Sequence, residues 1–225
     1  FRKLNADTNQ IVAGFVDVAA DIDVEFRLAK RDPYGDCHSG INRIESELTY
    51  EGNNEMKQLI HWPRNSYMNV YVAASAAGAA GYTNYPSDWG AGTDGIVLRH
   101  DYVGSIGTSN PYRNRTLTHE CGHWLNLPHT WGSSNNPNEA DNCDIDDGVD
   151  DTPLCLGSPV GLCDPERTTC GSLDNIQNYM EYSYCSRMYT MGQRARMRAA
   201  LNDDIADRDE LWTAQNLEDT GVFEE

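Results

Sequence analysis

"HECGHWLNLPH", residues 119–129, gathers three of the chain's six histidines into eleven residues and sets a glutamate directly after the first. With "NRTLT" before it, the stretch predicts a helix over 114–125, in which Leu117, Cys121, Trp124 and Leu125 form an apolar stripe at helical spacing. Four residues of helix is a rotation of about 400°, so His119 and His123 project from one face, one turn apart. Two imidazoles so placed can bind one tetrahedral zinc, at about 2.0–2.1 Å each. Glu120 lies one step round the helix, beside the metal but off the ligand face. A carboxylate there can take a proton from a zinc-bound water instead of ligating.

A catalytic zinc needs a third protein ligand and one open position. His129 can be that ligand only if the chain reverses. Continued as helix, six residues from His123 would carry it about 9 Å along the axis and out of reach. The helix must therefore stop between them, and a left-handed residue at the C-terminal end is the usual device. Glycine most often fills that position; asparagine is the commonest other residue to tolerate it. Asn126 is read as that stop, and Pro128 discourages further helix. Two histidines at this spacing alone would carry little weight. Three, with the glutamate and the helix breaker, are hard to explain without a metal. His38, His61 and His100 show no such pattern and are read as ordinary packed or solvated residues.

The rest of the chain bounds the setting. Its 225 residues fit one catalytic domain, 1–225, with an N-terminal subdomain 1–126 ending in the active-site helix and a C-terminal subdomain 127–225. No apolar run approaches the roughly 18–20 residues of a membrane span. The opening "FRKLNADTNQ" lacks a signal peptide's apolar region and an initiator Met, and is read as the start of a processed or trimmed fragment. A net charge of −18 argues against nucleic acid, whose phosphates need clustered Lys and Arg.

Residues 9–20 read as a helix, and strands are expected at 24–29, 41–48, 67–73 and 95–100. The Gly-, Ala- and Ser-rich stretch between the last two reads as a surface loop. From 130 to about 188 the sequence is irregular and rich in Gly, Pro, Asp and Cys, and a last helix is expected at 192–202. The fold class is α/β (α+β): a twisted mixed sheet with the active-site helix, then an irregular C-terminal lobe.

"DNCDIDDGVDDTP" (141–153) puts six aspartates into eleven residues. Hard oxygen donors at that density suit calcium, the bland alternative being a solvated acidic loop. It is not an EF-hand, because the spacing fails. Five of the seven cysteines (143, 155, 163, 170 and 185) fall within 43 residues. Clustered in a loop-rich region without a CxxC pair, they favour disulfides and an extracytoplasmic, secreted setting over a zinc cluster. Cys121, inside the apolar helix, is expected to be the free thiol.

"HECGHWLNLPH" resembles the extended zinc motif HExxHxxGxxH of the metzincin metalloendopeptidases, with asparagine in the glycine position. Within them the chain is most similar to the pappalysins, the pregnancy-associated plasma protein-A group. "IDVEFRLAKRDPYGD…GINR", "RTLTHECGHWLNLPHTW", "DDGVDDTP" and "NYMEYSYC…MYTMGQRARMR" resemble pappalysin segments in order, over roughly residues 22–198. The resemblance implies a metzincin-like fold with a methionine turn at Met180, a hydrophobic floor under the metal. It also implies a tyrosine, Tyr182, lining the zinc site and helping stabilise the oxyanion.

The implied reaction is peptide-bond hydrolysis: Glu120 takes the proton of a water on zinc held by His119, His123 and His129, and passes it to the leaving amine. By the same resemblance, calcium is held by Asp147, Thr152 and the Val149 carbonyl, with Asp144 and Asp150 as further candidates. Cys143 pairs with Cys170 and Cys163 with Cys185. Cys37–Cys155 is the expectation for the two left over, spacing alone deciding nothing among fifteen pairings. An N-terminal pro-segment is implied for the zymogen. So is a substrate lying along the 95–100 strand. Several microbial pappalysins prefer Arg or Lys just after the cut through an acid past the methionine turn. Here "MEYSYC" offers only Glu181. The rival readings are a non-catalytic, metal-stabilised peptide-binding module and a zinc hydrolase of a non-peptide amide.

Overall fold

The computed structural model of the protein describes residues 8–223. In chain order it contains β1 (Ala19–Ala20), a short α1 (Asn54–Lys57), β2 (Val70–Ala73), β3 (Gly81–Tyr82), β4 (Ile96–Arg99) and α2 (Thr116–Trp124). Then follow β5 (Thr168–Thr169), β6 (Ser172–Leu173), β7 (Tyr189–Thr190), α3 (Met191–Ala200) and α4 (Ala214–Asp219). This is the expected mixed α/β architecture, with small sheets and the site carried on α2.

The central sheet has the order β2-β4-β3, with β2 parallel to β4 and β3 antiparallel to it. Ile96 and Leu98 of β4 are fully buried and face α2, meeting Cys121, Trp124, Leu125 and Leu127. The same cluster takes in Met180, Tyr189 and Met197, with Leu117 packed at its margin. The apolar stripe read on the helix is therefore the face that seats it on the sheet. Val97 points the other way, into a second cluster with Met56, Ala73 and Ala76. β4 is buried on both faces, which explains its unbroken "IVL".

Several expected elements take another form. Residues 9–20 are not an α-helix: 3₁₀ turns at Thr8–Gln10 and Ala13–Val18 lead into β1, which pairs antiparallel with β7. Ile11 and Phe15 are still buried, against Met188, so the apolar spacing was sound. Gly14 and the β-branched Val12, Val16 and Val18 weaken an α-helix there, and the β7 ladder claims its end. Residues 24–29 form no strand. Phe26 packs against the main core instead, and the Lys30 and Arg31 amides donate to the Thr220 carbonyl at 2.9 and 3.1 Å. In 41–48 the expected strand gives way to a 3₁₀ turn, Glu47–Tyr50, capped by the Ser46 hydroxyl. The loop before β4 contains β3, because Gly81 has no Cβ to strike Leu98, whose Cδ2 would lie 2.9 Å from it.

After α2 the chain is mostly irregular as far as β7, broken by a 3₁₀ turn at Ala140–Asp144 and the two-residue β5–β6 ladder, and two disulfides tie it. α3 begins with a capping box: Thr190 Oγ1 accepts from the Gln193 amide and Gln193 Oε1 from the Thr190 amide. The fully buried Gln193 also exchanges hydrogen bonds with Asn178, at 2.8 and 3.1 Å. Asn178 Oδ1 in turn accepts from the Met180 amide at 2.9 Å. A helix cap thus sets the backbone beneath the site.

Candidate active site

α2 carries His119 and His123 on one face, and its C-terminal stop decides where His129 goes. Asn126 has φ +72°, in the left-handed region. Its amide donates to the His123 carbonyl, and the Leu127 amide reaches back to Gly122, both at 2.9 Å. This pair of bonds is the Schellman stop expected of the asparagine. The chain folds back, and His119, His123 and His129 converge, with one ligand atom from each within 4.8 Å of the others.

The chemistry of the three rings points to a cation. Each Nδ1 faces a carbonyl oxygen, which can only accept: Tyr179 at 2.7 Å, Leu127 at 2.7 Å and Ser134 at 2.9 Å. Each Nδ1 therefore bears the proton, and each Nε2 presents a lone pair. His123 Nε2 lies 3.1 Å from Nε2 of both His119 and His129. Lone pairs facing at that distance repel unless a positive charge stands between them. It is not a proton, because burial lowers His123 to about 4 and His129 to about 3, and holds His119 well below its ordinary value. The donor set fits a metal bound by three neutral imidazoles, each oriented by a backbone acceptor.

Glu120 is 5% exposed, and burial pushes its carboxyl up to about 8. A Cβ on Gly81 would come 3.0 Å from Glu120 Oε1, so β3 passes directly beside the carboxylate. This corrects the placing of 95–100 at the cleft edge. β4 is the middle strand, flanked by β2 and β3, and the edge beside Glu120 is Gly81–Tyr82. Tyr182 stands with its ring centroid 4.9 Å from that of His129 and 5.6 Å from that of His119. Burial, with the nearby Glu120 and Tyr85, raises its hydroxyl to about 12. Met180 is fully buried beneath α2, against Gly122.

Sequence reasoning missed two further aromatic residues. Tyr85, in the β3–β4 loop, places its hydroxyl 3.3 Å from His123 Nδ1. Trp131 lies flat against His129. Tyr85 sits in a Gly- and Ala-rich run without periodicity, and nothing in the sequence marks it. Trp131 stands two residues past the third histidine, and that proximity was the available signal.

A family profile described as pregnancy-associated plasma protein-A matches residues 51–202. The chain belongs to the pappalysin family. An extracellular metalloprotease of Verticillium alfalfae is 34% identical over 158 residues, 64% of this chain and 53% of that protein. One from Neurospora crassa is 33% identical over 174 residues, 71% of this chain and 57% of that protein. The chain thus spans little more than half the length of these two relatives. Mature mirolysin of Tannerella forsythia, solved with a cleaved peptide, superposes with a TM-score of 0.82 at 30% identity, covering 98% of this chain and 86% of that one. A promirolysin mutant from the same organism gives 0.79 at 31% identity, covering 93% of this chain and 72% of that one.

Around this pappalysin site the acidic loop is only partly drawn together. The buried Thr152 hydroxyl lies 2.7 and 2.8 Å from the two Asp147 carboxylate oxygens and 2.7 Å from the Val149 carbonyl. Asp144 and Asp150 are exposed. Cys143–Cys170 and Cys163–Cys185 are bridged. Cys37 and Cys155 are not: Cys37 is exposed, while Cys155 is fully buried, 3.5 Å from both Thr130 Oγ1 and Glu181 Oε1. Cys121 is buried and free as expected, but so is Cys155, and Cys37 too is unbridged. Glu181 turns away from the imidazoles. Its carboxylate accepts from Thr130 Oγ1 and the Ser158 amide, and burial raises its pKa despite those bonds.

Proposed function

We propose that the chain is the catalytic domain, 1–225, of a secreted zinc endopeptidase. The observation that carries this reading is the meeting of three proton-free Nε2 atoms one helical step from a buried carboxyl group. His119, His123 and His129 would hold zinc, which when bound polarises a scissile carbonyl and acidifies water. The fixed Nδ1 protons keep all three rings in the ligating tautomer. Glu120, next to the ligands and shielded from solvent, takes a proton from the attacking water and returns it to the leaving amine. The Tyr182 hydroxyl, held neutral by its raised pKa, can donate a hydrogen bond to the oxyanion. The outer edge of β3 offers backbone groups beside Glu120 to an extended peptide.

Relatives named extracellular metalloproteases support secretion, and no helix among the described residues is long and apolar enough to cross a membrane. A promirolysin among the matching structures supports a zymogen with a pro-segment. Structural calcium is proposed at Asp147, Val149 and Thr152. A preference for Arg or Lys after the cut rests on resemblance alone, since Glu181 is committed elsewhere.

Zinc content and peptide turnover, measured for the native chain beside Glu120→Ala, test the reading. We expect one zinc per chain in both, and turnover lower by about 10²–10⁴-fold in the variant. Equal turnover by the two proteins, or no zinc in active material, would overturn it. A peptide library read by mass spectrometry then gives the side-chain preference.

A further inference from the structure

His119 and His123 are oriented by a helix; His129 lies past its end, in a tight turn where an isolated antiparallel bridge joins it to Gly132. One bridge fixes the backbone there but leaves the direction of the imidazole to side-chain contacts. We propose that Trp131 is a positioning residue for His129, fixing both the plane of the ring and the nitrogen it offers. The proposal rests on the reading of the three histidines as a metal site.

The rings of Trp131 and His129 are stacked, with centroids 4.3 Å apart and planes within 2° of parallel. They also share an acceptor. The Ser134 carbonyl takes a hydrogen bond from Trp131 Nε1 and one from His129 Nδ1, both at 2.9 Å. The indole thus restrains the imidazole twice, by its face and through the carbonyl that holds the Nδ1 proton.

Trp131 is itself immobilised. It is fully buried, and Gly157, at φ +78°, packs directly against its ring. A Cβ on that glycine would fall 2.4–2.9 Å from three indole carbons, so only glycine leaves the slot the ring occupies. Tyr182 stands edge-on to Trp131 and to His129, 4.9 Å from each. Moving the indole would therefore disturb both the third ligand and the tyrosine.

The test is zinc affinity, measured on chelator-stripped protein by competition with a chromophoric chelator, for native, Trp131→Phe and Trp131→Leu. Losing a group that orients a metal ligand typically weakens binding by about 10–100-fold. We expect that for Trp131→Leu. For Trp131→Phe, which keeps an aromatic face but not the shared N–H, we expect a smaller loss, about 10-fold, at the lower end of that range. Zinc should also change the indole emission of the native chain, and Trp131→Phe should lose most of that change.

A folded Trp131→Leu that binds zinc within about twofold of native would overturn the proposal, being far short of the loss such groups cause. If Trp131→Leu does not fold, Trp131→Phe decides: native-like affinity with an undiminished emission change overturns it. Failure of the native chain to bind zinc would bring down the metal-site reading, and this proposal with it. Native binding with indifferent variants sinks the proposal alone.

Discussion

A Cβ on Gly122 would stand 2.3 Å from the Met180 sulfur and 3.3 Å from the Tyr189 hydroxyl oxygen. The helix bearing two of the imidazoles rests on Met180 at its one residue without a side chain. Met180 has no exposed surface into which to retreat. Overpacking of this kind costs about 1–3 kcal/mol, against a helical gain of about 1 kcal/mol for alanine over glycine. We expect Gly122→Ala to lower the melting temperature by a few degrees, at roughly 2–4 °C per kcal/mol for a chain of this size. Met180→Ala alone leaves a cavity, and the double variant should lose less than the two singles combined, because each change makes room for the other. Losses that simply add in the double variant would refute the contact.

The helix, its stop and the convergence of His129 were legible because each rests on a local rule: a 3.6-residue period, a left-handed residue, a reach too long for continuous helix. β2, β4 and α3 were found by pattern in the same way. The 9–20 segment was misread because its apolar spacing fits an α-helix and a pair of 3₁₀ turns equally, and the pairing of Ala19–Ala20 with β7 is a contact across some 170 residues. The pairing of Cys37 with Cys155 failed for a similar reason. Burial of Cys155 beside Glu181 is a tertiary fact with no local mark. So is the edge position of β3, only two residues long.

Asn126 gives a second prediction. This exposed residue sits at φ +72°, where glycine is free of strain and alanine is not. Asn126→Gly should match or slightly exceed native stability and retain zinc. Asn126→Ala should lose about 1 kcal/mol, near the lower end of the 1–2 kcal/mol that the left-handed conformation costs an ordinary residue. Thermal unfolding with a zinc competition assay checks both. A stable, zinc-tight Asn126→Ala would show that the reversal does not depend on the stop.

Burial of Glu120 predicts how metal-free stability responds to pH. Its ordinary value of 4.5 rises to about 8 in the folded chain. Between those values the folded state holds a proton that the unfolded chain has released, so this residue's contribution falls as pH rises through the window. Glu120→Gln removes that dependence. In chelator-stripped protein the variant should gain stability relative to native as pH goes from about 4.5 to above about 8, the histidines being common to both. Zinc should shrink the gap, because a nearby dication favours the ionised carboxylate. Urea unfolding at the two ends of the range is the measurement. A gap that does not grow with pH would count against a buried, proton-holding Glu120.

Asp147 carries the last prediction. It is 4% exposed, and burial lifts its carboxyl from 3.8 to about 6, although Thr152 and the Val149 amide donate to it. Arg196 contributes a charge nearby, but its guanidinium donates to the carbonyls of Asn126 and Asp147, not to the carboxylate. A raised carboxylate value means stability that is complete below 3.8 and is lost as pH climbs through about 6. At neutral pH the loop therefore holds a buried anion with only partial compensation, and a cation bound by Asp147, the Val149 carbonyl and Thr152 would restore what was lost. Calcium should raise the melting temperature of zinc-loaded protein at pH 7.5 and have much less effect at pH 4.5. A calcium-selective chelator avoids stripping the zinc. Asp147→Asn should abolish the calcium response at both pH values. Because Arg196 ties this loop to the carbonyl of Asn126, calcium should also strengthen zinc retention in the native chain but not in the variant. A melting temperature indifferent to calcium, or an Asp147→Asn protein that responds like native, would leave the loop as a solvated acidic surface.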